Sequence, residues 1–303
     1  MKTFLIKTIL FSSVLFGSLY LIAFFADGNT DQTYLKLTTK KQTSLIIGTS
    51  KAAQGIIPKI LNGQLKRTDL YNYAFALSIS PYGPIYYNAI KEKLSTNTKN
   101  GIFIVTVDSW SLANHKESPN DSLTFDETKS AFVDINNFNQ YPNFSYLTHA
   151  YNQQFIYLFV NKLKNRNMKV ENDGWLNINI PMDNESIKKR TQNKTKDFRD
   201  VMLPTHKFSE VRFNYLKKTI TLLKNHGKVY LVKLPVSAEM LKVDDLLISD
   251  FEQKMNSLCL EYQISYLNLN KSSQLYELTD GNHLSKKGAE KASLDIAKWI
   301  INK

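Results

Sequence analysis

Short apolar runs separated by helical stretches constrain this chain more than any other feature. SLII at 44–47, LYNYAFAL at 70–77, GIFIVTVD at 101–108, GKVYLVKLPV at 227–236 and ISYLNL at 264–269 are too short and too uniformly apolar for surface helices. They read as buried strands. Between and after them lie YGPIYYNAIKEKL and helical patterns near 211–225, 245–262 and 284–301, with a further helix opening near Ala52 after a tight turn at 48–50. Strands alternating with helices build a parallel sheet covered on both faces, so the expected class is α/β, a three-layer α/β/α sandwich. Its ligand site belongs at the carboxyl ends of the strands.

The alternation lapses between Asp108 and Pro204 into a segment rich in Asn, Asp, Phe and Tyr. A structureless loop of that length is improbable in a compact domain, so an insertion at about 109–204 is expected, with helices of its own in YLTHAYNQQFIYLFVNKLKNR and the role of a lid or cap. Its aromatics suit either a carbohydrate cleft or simply the insertion's own core.

At the other end of the chain, Thr8 to Ala26 carries no charge and is long enough to cross a bilayer at about 1.5 Å per residue. Lys2 and Lys7 precede this segment while Asp27 and Asp31 follow it, which places the N-terminus in the cytoplasm and the remainder outside. A cleavable signal prefers small residues before its cut site, and FFADG has Phe24 where one is wanted, so an uncleaved anchor is the preferred reading. The expected layout is an anchor over 1–26, a polar tether over 27–43 and one domain over 44–303, outside a bacterial cytoplasmic membrane. The single Cys259 makes no internal disulfide.

The net charge of +12 comes from scattered lysines rather than a concentrated basic face, so no nucleic-acid partner is expected. His115, His149, His206 and His226 are dispersed, with no H-E-x-x-H or C-x-x-C spacing, and no metal is expected. Neither phosphate-binding glycine pattern occurs, so no cofactor is expected either.

Chemistry concentrates at the two ends of the domain. Ser50, in GTS, follows the first strand and so stands at the carboxyl edge of the sheet. A serine hydroxyl needs a base to become a nucleophile, and the base needs an acid to fix its tautomer. Asp280 and His283, in DGNHLSKKGA ahead of the last helix, supply that pair. Taken singly, Ser50 also reads as a helix-capping serine and His283 as a surface histidine.

GTSKAAQG and DGNHLSKKGA together resemble the first and last blocks of the SGNH, or GDSL-type, hydrolase superfamily, with Thr49 in place of the usual aspartate. The resemblance implies a flavodoxin-like α/β/α fold, Ser50 as nucleophile, His283 as base, Asp280 as its orienting acid, and the Ser50 amide as one oxyanion donor. The middle blocks depart from the pattern. Ala74, Ala76 and Ser78 stand where a glycine donor is expected, and VTVDSWS lacks the usual asparagine, leaving Ser78 and Ser109 as candidate substitutes. These departures are similar to the membrane-anchored envelope-modifying branches, such as the alginate O-acetylation and teichoic acid D-alanyl transfer proteins. The implied function is a serine esterase or O-acyltransferase acting on an acylated envelope glycan or a small ester, with a membrane acyltransferase as a possible partner. The alternative is an idle scaffold of the same fold that binds a polysaccharide or such a partner.

Overall fold

The computed structural model describes residues 1–134, 136, 138–164 and 166–303. Helix α1 (Lys2–Ala23) is long and apolar enough to span a membrane, and most of its large side chains are exposed. The segment 27–43, expected as a polar tether, is packed against the domain. The Asp31 carboxylate accepts hydrogen bonds from the amides of Thr33 and Tyr34, which starts α2 (Tyr34–Thr38), and Tyr34 and Leu37 are fully buried. Its Thr-rich composition hid an i, i+3 apolar pair.

The domain proper begins with β1 (Ser44–Ile47), α3 (Ser50–Gly55), α4 (Pro58–Gln64), β2 (Leu70–Asn72), α5 (Pro84–Lys93) and β3 (Gly101–Thr106). The insertion that follows carries β4 (Ala113–His115), α6 (Phe144–His149), α7 (Ile156–Leu163), β5 (Met168–Val170), β6 (Leu176–Ile178) and α8 (Asn184–Asp197). After it come β7 (His206–Phe208), α9 (Glu210–Lys224), β8 (Gly227–Lys233), α10 (Ala238–Leu247), α11 (Phe251–Tyr262), β9 (Ser265–Asn268) and α12 (Lys286–Ile301).

Among the described residues the main sheet has five strands, all parallel, in the order β2-β1-β3-β8-β9. Alternate residues of β1 feed opposite faces: Leu45 and Ile47 pack with α5, α9 and α11, while Ile46 packs with α3, α4 and α12. This is the expected three-layer α/β/α class. The step from β1 to β3 to β8 on one side, and from β1 to β2 on the other, puts β1 at the point where the order reverses, where a parallel sheet opens a crevice.

Two elements differ from expectation. The apolar run 70–77 pairs as a strand only over Leu70–Asn72, because the Asn72 amide turns inward to the carbonyls of Ala52 and Ile56 and its oxygen accepts from the Ala74 amide. The helix expected over 245–262 is two helices. α10 starts earlier because the Ser237 hydroxyl caps it through the Met240 amide, and the chain breaks at 248–250 so that Ile248 enters the core. Within the insertion, β4 pairs antiparallel with β7 and β5 with β6, and α8 follows an Asp183 cap that accepts from the Ser186 amide.

Candidate active site

Ser50 owes its place to Gly48. There φ is +144°, and a β carbon would lie 1.8 Å from the Thr106 hydroxyl oxygen of the neighbouring strand, so only glycine lets the chain leave β1 this close to β3. The turn is fixed at both of its polar groups. The Gly48 amide donates to the Tyr86 hydroxyl at 3.1 Å, and its carbonyl accepts from the Ser80 hydroxyl at 2.8 Å. Thr49 is extended, and Ser50 is the first residue of α3. The first amides of a helix have no intrahelical acceptor, so the Ser50 N–H has no partner within α3.

His283 arrives on a loop closed by two backbone hydrogen bonds, Thr279 N–H to the His283 carbonyl at 2.8 Å and Ser285 N–H to the Glu277 carbonyl at 2.9 Å. Gly281, at φ +77°, makes the bend between them. One Asp280 oxygen accepts from the amides of Asn282 and His283, at 3.0 and 2.8 Å, and the other lies 2.9 Å from His283 Nδ1. Although burial alone would raise it, the hydrogen bond and charge of His283 hold the Asp280 carboxyl down at about 2. An ionised carboxylate only accepts, so Nδ1 is the ring nitrogen that donates to it, and Nε2 of a neutral ring is the one that can accept. That Nε2 is 2.9 Å from Ser50 Oγ.

The two ends of the chain meet because α12 docks on α3 and α4. Ser285 caps α12 by accepting from the Gly288 amide, and Ser293 within the helix accepts from the Ile57 amide at 2.8 Å. Gly55 is the close approach in this packing, since a β carbon there would come within 3.0 Å of Leu284 next to the histidine.

Ser50 and His283 open on a cavity of about 350 Å³. Its roof comes from the insertion and β7, through Lys194, Phe198, Met202 and His206. Ser78, in the exposed turn after the β2 run, lines the cavity; Ser109 is buried and does not. Of the two candidate substitutes for the missing oxyanion donors, only Ser78 is in reach of a ligand here.

Several cavity residues were not anticipated. Asn282, inside the D-x-x-H block, is buried there with its side-chain oxygen unpaired. Lys51, next to Ser50, sits beside two acids, 3.9 Å from Asp108 and 3.6 Å from Asp244. Burial pulls the Lys51 ammonium down, but Asp108, Asp244 and Asp280 together hold it above its ordinary value. A lysine directly after the serine and an acid at the end of β3 were the available signals, but charged residues in a crevice are hard to tell from solvated ones without the fold. Among the described residues no group of three or more His, Cys, Asp or Glu side chains is arranged to hold a metal ion.

No family model and no curated protein matches this chain. A solved structure to which it is similar is the inhibitor-bound form of an M. smegmatis aryl esterase, at 8% identity and a TM-score of 0.36, over 86% of this chain and 99% of that one. A likeness that weak leaves the chemistry to be argued from the site itself.

Proposed function

We propose that this protein is a membrane-anchored serine esterase or O-acyltransferase, acting on ester-linked acyl groups of an envelope glycan or a small ester outside the cytoplasmic membrane. The observation that carries the reading is the continuous hydrogen-bonded chain from Ser50 Oγ through both ring nitrogens of His283 to an ionised Asp280.

In this mechanism His283 Nε2 takes the Ser50 proton as Oγ bonds to the acyl carbon, and the carbonyl electrons move to the oxygen. The Ser50 amide, with Ser78 beside the cavity, donates to that oxyanion. Collapse breaks the bond to the alcohol, which leaves with the proton held by the imidazolium, and an acyl ester remains on Ser50. Water gives hydrolysis at that point, and a sugar hydroxyl gives transfer, each deprotonated by the same ring. A membrane acyltransferase is the natural source of acyl groups if transfer is the physiological reaction.

The test is covalent labelling of the full-length chain in detergent by a fluorophosphonate, alongside release of p-nitrophenol from p-nitrophenyl acetate. The wild type takes up one probe per chain, and Ser50→Ala and His283→Ala each lose labelling and turnover to a similar extent, because the two groups act as a unit. No uptake by folded wild type, or equal uptake by Ser50→Ala, would falsify the nucleophile assignment and leave the idle scaffold. A C-terminal reporter fusion active only in the cytoplasm would sink the envelope location.

A further inference from the structure

The insertion grips the outgoing end of α1 rather than folding away from it. Tyr20 stacks on Phe144 at 5.2 Å between ring centroids, Phe24 meets Tyr141 edge to face at 6.3 Å, and Phe25 meets Phe159 edge to face at 5.4 Å. Polar contacts continue along the next residues. Tyr141 donates to the Phe24 carbonyl at 2.8 Å, Lys162 lies 3.8 Å from Asp27, the Val170 amide donates to Gly28, and Arg166 donates to the Asn29 carbonyl. The mount between α1 and the sheet is therefore stiff, and the insertion is held at the height where α1 ends.

At that height the insertion exposes large apolar side chains instead of hiding them. On α7, Leu158 and Asn161 face inward, while Ile156, Tyr157, Phe159 and Leu163 are exposed, Leu163 by 71%. Tyr141 and Phe144, which meet Phe24 and Tyr20 at the end of α1, are exposed as well, and Lys162 and Lys164 stand beside Leu163 in the chain. Scattered apolar residues on a surface are ordinary; exposed aromatic and aliphatic side chains that gather on the end of one span-length helix are not. Aromatic rings with lysines at the end of a span have the composition of the membrane–water interface, and a short helix with one apolar and one polar side suits lying in its plane.

We infer that α7, with Tyr141 and Phe144, forms a collar that seats the insertion in the lipid headgroup region beside α1, so that the domain rests on the bilayer in one orientation. This rests on the anchor reading of α1, since lipid is the occupant named by continuity with that helix. A second cavity, of about 920 Å³, shares Ser78 and Asp126 with the Ser50 cavity and runs to Asp31 and Gln153, at the α1 exit and just ahead of α7. Seating by the collar puts the outer end of this groove near the lipid surface, from which a membrane-borne substrate would enter.

The full-length chain tests this in vesicles of phosphatidylcholine and phosphatidylglycerol. In a Cys259→Ser background, single cysteines at Phe159→Cys, Leu163→Cys, Ile9→Cys and Leu260→Cys carry an environment-sensitive fluorophore, and nitroxide lipids serve as quenchers. The labels at 159 and 163 are expected to shift to the blue and lose most of their emission to upper-chain nitroxides. The label at 260, exposed on α11, stays solvent-like, and the label at 9 is quenched by deep-chain nitroxides. Quenching at 9 without quenching at 159 and 163 overturns the collar and leaves the anchor standing. Quenching at 159 and 163 without quenching at 9 overturns the anchor reading, and with it a collar seated beside a membrane-spanning α1. Labels at 159 and 163 that shift to the blue in proportion to protein density, untouched by lipid quenchers, overturn the collar in favour of a second copy of the chain.

Discussion

Arg212 and Glu127 form a bidentate ion pair, at 2.8 and 3.1 Å, with both side chains almost entirely removed from solvent. Arg212 belongs to α9 under the sheet and Glu127 to the insertion, so this pair rivets the cap to the body of the domain beside the Ser50 cavity. The guanidinium also donates to Asn114 and to the Tyr82 carbonyl and stacks on Phe125 at 3.8 Å. Removing one partner leaves a buried charge unpaired, which costs about 3 to 5 kcal/mol. Glu127→Ala is expected to lower the urea midpoint by a corresponding amount. Glu127→Ala combined with Arg212→Met should lose less than the sum of the two single changes, and a strictly additive pair would contradict the rivet.

The same pair marks where sequence reading runs out. β1, β3 and β8 were legible because unbroken apolar runs belong to strands buried on both faces, and proximity of Ser50 to His283 was legible because chain order and a parallel sheet bring both to one edge. Arg212, Glu127, Lys51 and Asp244 were not legible. Each is a charged residue in a chain with many, and each is inside only because a partner from a distant segment neutralises it. The buried tether was missed for a related reason, since Tyr34 and Leu37 lie in a stretch whose average composition is polar.

Asp280 makes the fold sensitive to acid. Its carboxyl is lowered from an ordinary 3.8 to about 2, against the desolvating effect of burial, by the His283 hydrogen bond and charge and by two backbone amides. A group whose pKa is depressed on folding contributes stability above its unfolded pKa and loses it as pH falls through the folded value. The contribution is about 2 kcal/mol at about 1.4 kcal/mol per pH unit. The stability gap between wild type and Asp280→Asn, measured by urea unfolding, should be widest above pH about 4 and close as pH approaches about 2. A gap that persists unchanged at the acid end would mean the carboxylate is not held by the ring. Activity of this variant should fall less than that of His283→Ala, since the base remains while its tautomer and orientation are disturbed.

Lys36 carries a cost to stability at neutral pH, where Asp280 contributes to it. It is buried, donates to the Ala74 carbonyl and lies over the Phe75 ring, and burial brings its ammonium down to about 7 from an ordinary 10.5. Between those values the unfolded chain binds a proton that the folded chain does not, so stability rises with pH through this window. Lys36→Met removes the dependence at the loss of one hydrogen bond. Relative to wild type the variant should be at its best near pH 7 and below, and its standing should decline steadily as pH rises toward 10. Parallel pH profiles for the two proteins would show that the ammonium keeps its charge in the fold.

Lys51 links the buried ion pairs to Ser50 beside it. Its Nζ is the cation shared by Asp244 and Asp108, and all three side chains are at most 7% exposed. Asp108 in turn accepts from the Ser111 amide and from the Thr49 hydroxyl, so the acid that faces Lys51 also holds the residue before Ser50. Asp244 is anchored by the Trp110 indole N–H at 2.7 Å, and burial pushes its carboxyl above the usual range despite the nearby lysine. Lys51→Met strands two buried acids, and a loss of about 3 to 5 kcal/mol is expected. Adding Asp244→Asn removes one of the stranded charges, so the double variant should recover part of the melting temperature. Its turnover on p-nitrophenyl acetate should stay low with KM little changed, because Lys51 still no longer fixes the turn that carries Ser50. Recovery of turnover in step with stability would show that Lys51 supports the fold alone and has no part in aiming the serine.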